Sequence, residues 1–454
     1  MKFYDREKEI EVLRKFSRIA VIGRRRIGKT RLVEETFKDK VLTLFIPAEK
    51  REKLVCNDWI REVREHKLYI PELTRMKDVV EYLMVNARDY VIFLDELQNT
   101  LKVNKAFLYD LQRLMDKHRE AKIVVSGSII SMSKKVIEEY KSPLYGRFDA
   151  ILKLKELSFP VITEICRDLK LTIEDALTLY SVFGGIPKYY ETLEKSRMKP
   201  LNFIYFMFFE DPYPLVEDVR MMLREEFGKE YKTYFSVLEA ISNSKNTLGE
   251  ICGYLGVEAN KITKYIYNLE REYEIIIKHK PVIGRGKAIY EIEPNLTDFW
   301  FKFIWKHYPN ILRNGEAKEY FQKNFNKYLS MKFEKTIREL IKNNVLKLPF
   351  KQDTTGKWWG HYREGKKKRS FEVDIAALNN KKDKVALIEV KWSKLTEEET
   401  LKIIKETKEK QKHIPWKAEV YIGVIAREIM GKKRIREKGF IAYDLKDIEE
   451  TLER

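Results

Sequence analysis

The sequence predicts an α/β protein of several domains: a parallel sheet covered by helices, a helical lid, a helix-rich module ending in a hairpin, and a second α/β domain. Three observations carry this prediction. Short Val/Ile-rich runs alternate with helical patterns from about Arg18 to Leu154, as strands and crossover helices do in a parallel sheet. A glycine-bounded loop, Gly23 to Thr30, joins the first of these runs to a helix pattern. Near the other end, two acid-bearing strand patterns follow an amphipathic helix through Phe333, Ile337 and Leu340.

At 454 residues the chain exceeds one ordinary core, because single cores stop growing beyond roughly 250–300 residues. Its patterns divide it at 1–155 (sheet core), 156–228 (helical lid and connector), 229–316 (three-helix module and linker) and 317–454 (second α/β domain). A content of 44% hydrophobic and 35% charged residues suits ordered domains with densely charged surfaces and excludes extended disorder. The net charge of +19 is concentrated: Ala317 to Arg454 carries 34 Lys and Arg against 22 Asp and Glu, so that end is the better match to a polyanion. Lys- and Glu-rich composition is also a thermophile habit, and charge alone does not separate the two readings.

The three cysteines, Cys56, Cys166 and Cys252, lie far apart with no Cys-x-x-Cys pair, and the six histidines are equally scattered. Neither a disulfide framework nor a zinc site is predicted, and the setting reads as reducing cytoplasm. Met1 to Arg6 lacks the apolar core of a signal peptide. No apolar run approaches the ~18 residues of a membrane span, so no membrane partner is expected.

Taken in order, strands are expected at Ile19–Ile22, Val41–Phe45, Val91–Leu94, Ile123–Val125 and Ala150–Leu152. Helical periodicity from Leu157 to Glu194 predicts the lid, broken at Gly184-Gly185-Ile186-Pro187, where Pro187 opens a new helix. The stretch from Ser196 to Lys229 is apolar, aromatic and interrupted by Pro200, Pro212 and Pro214, which predicts a packed connector. Tyr231 to Ile292 reads as three helices and a hairpin around Gly284-Arg285-Gly286-Lys287, a winged-helix pattern. The final block alternates strands with a Lys-rich helix from Thr396 to Lys412, and includes the basic run Lys366-Lys367-Lys368-Arg369.

The first loop reads Gly23-Arg24-Arg25-Arg26-Ile27-Gly28-Lys29-Thr30, the spacing of a P-loop. Its glycines let backbone N–H groups wrap phosphate oxygens, and the following helix N-terminus adds its dipole. Lys29 would reach the β- and γ-phosphates of ATP, and Thr30 would ligate Mg²⁺. The buried strand ending in Asp95-Glu96 would bring Asp95 to the metal and Glu96 to the attacking water. Ser126-Gly127-Ser128 ends the next strand; Ser128 either senses the γ-phosphate or simply belongs to a turn. At least one of Arg24, Arg25 and Arg26 is expected to point outward as solvated charge.

Six spaced motifs resemble the archaeal ATPase family, in the AAA+-related, signal-transducing branch of P-loop ATPases. They are Asp5-Arg6-Glu7-x-Glu9-Ile10, Gly-x-Arg25-Arg26-x-Gly-Lys-Thr, Leu94-Asp95-Glu96-Leu97-Gln98, Ser126-Gly127-Ser128, Pro143-Leu144-Tyr145-Gly146-Arg147 and Gly184-Gly185-Ile186-Pro187. The resemblance covers roughly the first 195 residues. It implies that Arg147 touches the γ-phosphate or a neighbouring site; a structural pairing of Arg147 with Asp149 or another acid is equally open.

In the winged-helix reading, Ile262, Ile266 and Leu269 of the third helix face its core, leaving Asn260, Lys261, Lys264, Asn268 and Arg271 for the exposed side. Lys and Arg there suit phosphates and Asn suits base edges, while Arg285 and Lys287 at the hairpin tip suit backbone contact. Winged helices also mediate protein contacts, and exposed helical lysines are ordinary. The segment is similar to the winged helix that follows the ATPase core in the same family.

In the last block, strand alternation places Asp374 on the face of Glu372, and Glu389 on the face of Lys391. Two carboxylates could share a divalent cation while Lys391 orients water toward a phosphodiester. Asp, a spacer, then Glu-x-Lys on adjacent strands resembles the PD-(D/E)xK nuclease superfamily, of restriction-endonuclease-like fold, over about Lys332 to Ile425. Glu334 resembles that superfamily's accessory acid; Val373 stands where a proline often precedes the aspartate. The block is also similar to the C-terminal domain of unknown function carried by many archaeal ATPases. Trp358, Trp359, Tyr362 and the basic run would either contact nucleic acid or form a packed aromatic hairpin. Together these expectations describe an ATP- and Mg²⁺-dependent, DNA-interacting protein, able to self-associate, whose nucleotide state regulates a nuclease-like domain. The alternative is an ATP-driven switch or scaffold whose last domain has no chemistry.

Overall fold

The computed structural model describes residues 1–128, 130–210, 214–310, 316–365 and 367–453. Pro212 of the connector, Lys366 of the basic run and Arg454 lie outside these. The chain divides into two compact units. The first comprises Met1–Leu157 together with Ile186–Lys195 and Met222–Gly228, and the second holds the rest.

In the first unit, β1 (Arg18–Ile22), β2 (Val41–Phe45), β3 (Val91–Asp95), β4 (Ile123–Gly127) and β5 (Ala150–Lys153) form a sheet in the order β2-β3-β4-β1-β5. All its pairs are parallel, and helix α1 (Lys29–Phe37) follows the loop after β1. Alternate residues feed two cores: Ala20, Ile22, Leu42, Leu44, Ile92 and Leu94 lie on one side, and Ile19, Val21, Val41, Val91 and Phe93 on the other. Burial on both faces explains why these strands read as continuous Val/Ile runs. Because β4 lies between β1 and β3, its C-terminal end stands beside the acids that close β3. The unit's two outlying segments lie on helices α2 (Pro187–Ser196) and α3 (Val216–Phe227).

The second unit contains helices α4 (Tyr231–Ser242), α5 (Leu248–Leu255) and α6 (Ala259–Arg271), then the antiparallel pair β6 (Ile276–His279) and β7 (Ile289–Ile292). Thr247 and Glu250 form a capping box at the start of α5, and Ile262, Ile266 and Leu269 are the buried residues of α6, as their spacing predicts. A long helix α7 (Glu316–Lys342) leads to β8 (Thr354–Glu364), β9 (Lys367–Leu378) and β10 (Lys384–Leu395). Helix α8 (Glu397–Lys410), β11 (Glu419–Ile429) and β12 (Ile441–Tyr443) follow. The sheet order is β12-β11-β10-β9-β8, antiparallel from β8 to β10 and parallel from β10 to β12. Helix α8 is the crossover that a parallel β10–β11 pair requires, and a capping box of Thr396 and Glu399 starts it.

Candidate functional site

The first site forms where β1 hands over to α1. Gly28 has φ +92°, a conformation open to glycine at little cost. At Gly23, a Cβ would lie 3.0 Å from the Leu154 carbonyl oxygen and 3.1 Å from Ile27 Cγ2. Ile27 is the buried anchor of the loop, at 2% exposure. Lys29 Nζ donates to the carbonyl oxygens of Gly23 (3.1 Å) and Arg24 (3.3 Å). Burial pulls the Lys29 ammonium below its ordinary pKa, against the opposing pull of Glu96 and Asp95.

Thr30 Oγ1 donates to Asp95 Oδ2 at 2.9 Å, while Ser126 Oγ contacts Asp95 Oδ1. Burial raises the Asp95 carboxyl above the usual range, Ser126 and Thr30 working against it and Glu96 with it. A hydroxyl beside a buried carboxylate is a hard-oxygen donor set of the kind Mg²⁺ takes while keeping several waters. Glu96 sits just past β3 with φ +61°, and its Oε2 accepts from Ser128 Oγ (2.5 Å) and from the Gln98 amide. Motif reading names Gln98, Ser126 and Ser128 but considers a role for Ser128 alone; it does not foresee the contacts of Gln98 with Glu96 and of Ser126 with Asp95.

The arginines of the loop separate. Arg25 pairs with Glu225 of α3 at 2.6 Å, and Arg26 Nη1 donates to Tyr189 Oη of α2 at 3.1 Å. Arg24, which precedes them in the loop, is half-buried. Arg147 pairs with Asp116 at 2.9 Å, whereas Asp149 accepts the amides of Ser17 and Arg18; of the two structural partners expected, the other acid takes the arginine.

The second site lies where the β9–β10 ladder opens beyond Ile375 and Ile388. There Asp374 Oδ2 takes over as acceptor for the Val390 amide (2.8 Å) and also accepts from Lys391 Nζ (3.1 Å). Lys391 Nζ reaches Glu389 Oε2 as well, at 2.9 Å. A one-residue bulge in β10 follows Lys391, a device that re-aims side chains beside functional sites. Burial would lower the Lys391 pKa, but Asp374 and Glu389 together raise it, so the side chain stays cationic. Burial and the neighbouring Asp374 raise the Glu389 carboxyl, opposed by Lys391 and Lys410.

Asp374 Oδ2 and Glu389 Oε2 share one ammonium, that of Lys391. Glu334 turns elsewhere: its Oε1 is held by Lys357 (2.7 Å) and Arg338 (2.9 Å). Burial raises its carboxyl first, with Lys357 opposing and Asp374 adding to the rise. Among the described residues, no three His, Cys, Asp or Glu side chains form a group able to hold a metal. Sequence reading missed Lys410, whose Nζ donates to Glu389 Oε1 and to the Glu372 carbonyl oxygen, both at 2.7 Å. Nothing in a Lys-rich helix distinguishes it from Lys402, Lys405 or Lys408.

In the three-helix module, Lys261 is exposed and Lys264 pairs with Glu230 at 3.5 Å. Asn260 and Arg271 are also exposed. Asn268 departs from its expected exposed position, since its Nδ2 donates inward to Tyr234 Oη at 2.8 Å. Arg285 and Lys287 are exposed at the hairpin tip, but the loop carrying them is anchored on β8. The Val282 amide donates to the Lys357 carbonyl at 3.1 Å, and Ile283 joins the core around Trp358 and Val373. Trp358 is buried against Phe371, and Tyr362 lies on His413, so this aromatic hairpin is packed.

Residues 3–193 match the family model described as an ATPase domain predominantly from Archaea, and residues 300–403 match one described as Archaea bacterial proteins of unknown function. An uncharacterized protein of Methanocaldococcus jannaschii, MJECL04, is 30% identical over 462 residues, covering 98% of this chain and 99% of its own length. A Walker-type ATPase of Pyrococcus abyssi is 17% identical with a TM-score of 0.52, covering 66% of this chain and 96% of its own; at that identity the likeness concerns the fold. The Aeropyrum pernix ORC2 protein, solved in ADPNP–ADP complexes, is 15% identical with a TM-score of 0.42, covering 70% of this chain and 96% of its own. The chain therefore belongs to the archaeal ATPase family, as a P-loop ATPase that also carries a C-terminal domain of the unknown-function family.

Proposed function

We propose that this ATPase acts on DNA, its nucleotide state regulating a Mg²⁺-dependent nuclease-like C-terminal domain of PD-(D/E)xK type. The observation that carries the reading is the convergence of Asp374, Glu389 and Lys391 at the mouth of the opened β9–β10 ladder. Its topology, an antiparallel β8–β9–β10 followed by a helical crossover to a parallel β11, supports the same assignment.

At the nucleotide site, Lys29 exchanges its loop carbonyls for β- and γ-phosphate oxygens, Gly23 to Gly28 wrap them with backbone amides, and Thr30 and Asp95 hold Mg²⁺. Glu96 orients the attacking water, with Ser128 and Gln98 fixing its carboxylate. Arg147 supplies positive charge to the γ-phosphate of its own or a neighbouring copy, so self-association belongs to the reading. At the C-terminal site, Asp374 and Glu389 hold the metal, Glu334 supports them, and Lys391 orients water and the scissile phosphate. When bound, Mg²⁺ supplies charge to phosphate oxygens. Lys261, Lys264, Arg285 and Lys287 take phosphates of the duplex through a winged helix. The setting is cytoplasmic; among the described residues no helix is long and apolar enough to cross a membrane.

Nicking of supercoiled plasmid by the full chain with Mn²⁺ tests the chemistry. Wild type should cut and Asp374→Asn and Lys391→Met should not; equal cutting by all three sinks it. One observation favours the second reading, an ATP-driven switch without cleavage: both Glu389 oxygens and Glu334 are already held by internal cations. It predicts nucleotide-dependent assembly with no nicking.

A further inference from the structure

Resting on the reading that Asp374 and Glu389 take a divalent cation, we propose that Lys410 is a resident counter-ion of that pair, which metal must displace and which a nucleic-acid phosphate draws away. The Glu389 side chain is 8% exposed, and each of its oxygens is already claimed, Oε2 by Lys391 and Oε1 by Lys410. Two carboxylates thus face two ammonium groups. A divalent cation that takes Glu389 through either oxygen competes with an ammonium already bound there.

The two lysines are not equivalent. Lys391 lies on the same strand as Glu389 and bridges Asp374 Oδ2 and Glu389 Oε2, so an ion that leaves Lys391 in place takes Glu389 through Oε1, the oxygen that Lys410 holds. Lys410 comes from the last turn of α8, and among the described residues its ammonium meets Glu389 and the backbone carbonyl of Glu372. Its side chain is 25% exposed, and a flexible four-carbon stem lets its ammonium swing toward solvent. A phosphodiester oxygen is the partner that compensates the lost carboxylate contact. Metal and nucleic acid then bind cooperatively through one side chain, each strengthening the other by the same factor. The site stays weak for metal until its substrate is present.

The test is Mn²⁺ binding to the full chain without nucleotide, followed by water-proton relaxation and calorimetry, with and without a phosphorothioate oligonucleotide. Removing one unit charge beside the ion should tighten Mn²⁺ by about tenfold in Lys410→Met and Lys410→Gln, while Lys410→Arg stays near wild type. The oligonucleotide should tighten Mn²⁺ in wild type and have little further effect in the neutral variants. Two neutral replacements guard against one that misfolds. If Asp374→Asn abolishes the site and neither neutral variant changes its affinity, Lys410 is no counter-ion and the proposal alone fails. If Asp374→Asn leaves Mn²⁺ binding untouched, the metal reading beneath it fails as well.

Discussion

Replacing Arg338 by Met should destabilise the second unit by more than any surface substitution. Its guanidinium is 8% exposed and stands between two acids, 2.9 Å from Glu334 Oε1 and 3.4 Å from Glu291 Oε2. Met keeps the apolar stem and removes the charge. Glu334 would retain the Lys357 ammonium at 2.7 Å, and Glu291 would retain the His279 imidazole at 3.1 Å. Breaking a buried pair costs about 3–5 kcal/mol when the survivor is stranded; with partial compensation on both sides, ~2–4 kcal/mol is the expected loss. For a unit of this size that corresponds to a fall in Tm on the order of 4–16 °C. Calorimetry on the full chain suits the measurement, because two units need not melt together. Arg61→Ala is the control, its side chain 72% exposed and 3.7 Å from Asp58, where about 0–1 kcal/mol is expected. An Arg338→Met transition within 1 °C of wild type would refute the view that these charges form one interdependent network beneath Glu334.

Glu96→Gln should retain nucleotide binding, read by a fluorescent analogue, and lose on the order of 10²–10⁴-fold in phosphate release; unchanged turnover removes Glu96 from the mechanism. Gly28→Ala places a Cβ at φ +92°, so stability should fall by about 1–3 kcal/mol and nucleotide affinity with it; a neutral result in both assays would mean the loop adopts another conformation. Burial alone would raise Glu291, but His279, Lys335, Arg338 and Lys357 hold it well below the ordinary carboxyl value of 4.5. The folded pKa lies below the unfolded one, so this stability is present above pH 4.5 and lost as pH falls through the folded value. Urea midpoints between pH 7 and pH 3 should show an acid loss that Glu291→Gln reduces; identical slopes would remove Glu291 as its source.

What could be read from the sequence follows the range of the interactions. Strands buried on both faces announce themselves as Val/Ile runs, and the Gly23–Thr30 spacing marks a loop whose Lys29 turns back on the loop's own carbonyls. Alternation in β9 and β10 sufficed to put Asp374, Glu389 and Lys391 on compatible faces. Contacts set by tertiary packing left no local trace. Arg25 meets Glu225 across 200 residues of chain, and Lys410 meets Glu389 only because α8 crosses back over the sheet. Asn268 looked exposed by helical phase, yet Tyr234 on α4 offers it a partner. The hairpin tip reads as free basic loop, but Ile283, an ordinary apolar residue in the sequence, seats it in the core beneath Trp358.

In the proposed function, nucleotide state governs the chemistry of the C-terminal site. The most direct measurement of this is the initial rate of plasmid nicking by the full chain with no nucleotide, with ATP and with a non-hydrolysable analogue, in wild type, Lys29→Ala and Asp374→Ala. The rate should change with nucleotide in wild type, be indifferent to it in Lys29→Ala, and vanish in Asp374→Ala. Equal nicking in every nucleotide state, or cutting that survives Asp374→Ala, would contradict the proposed function.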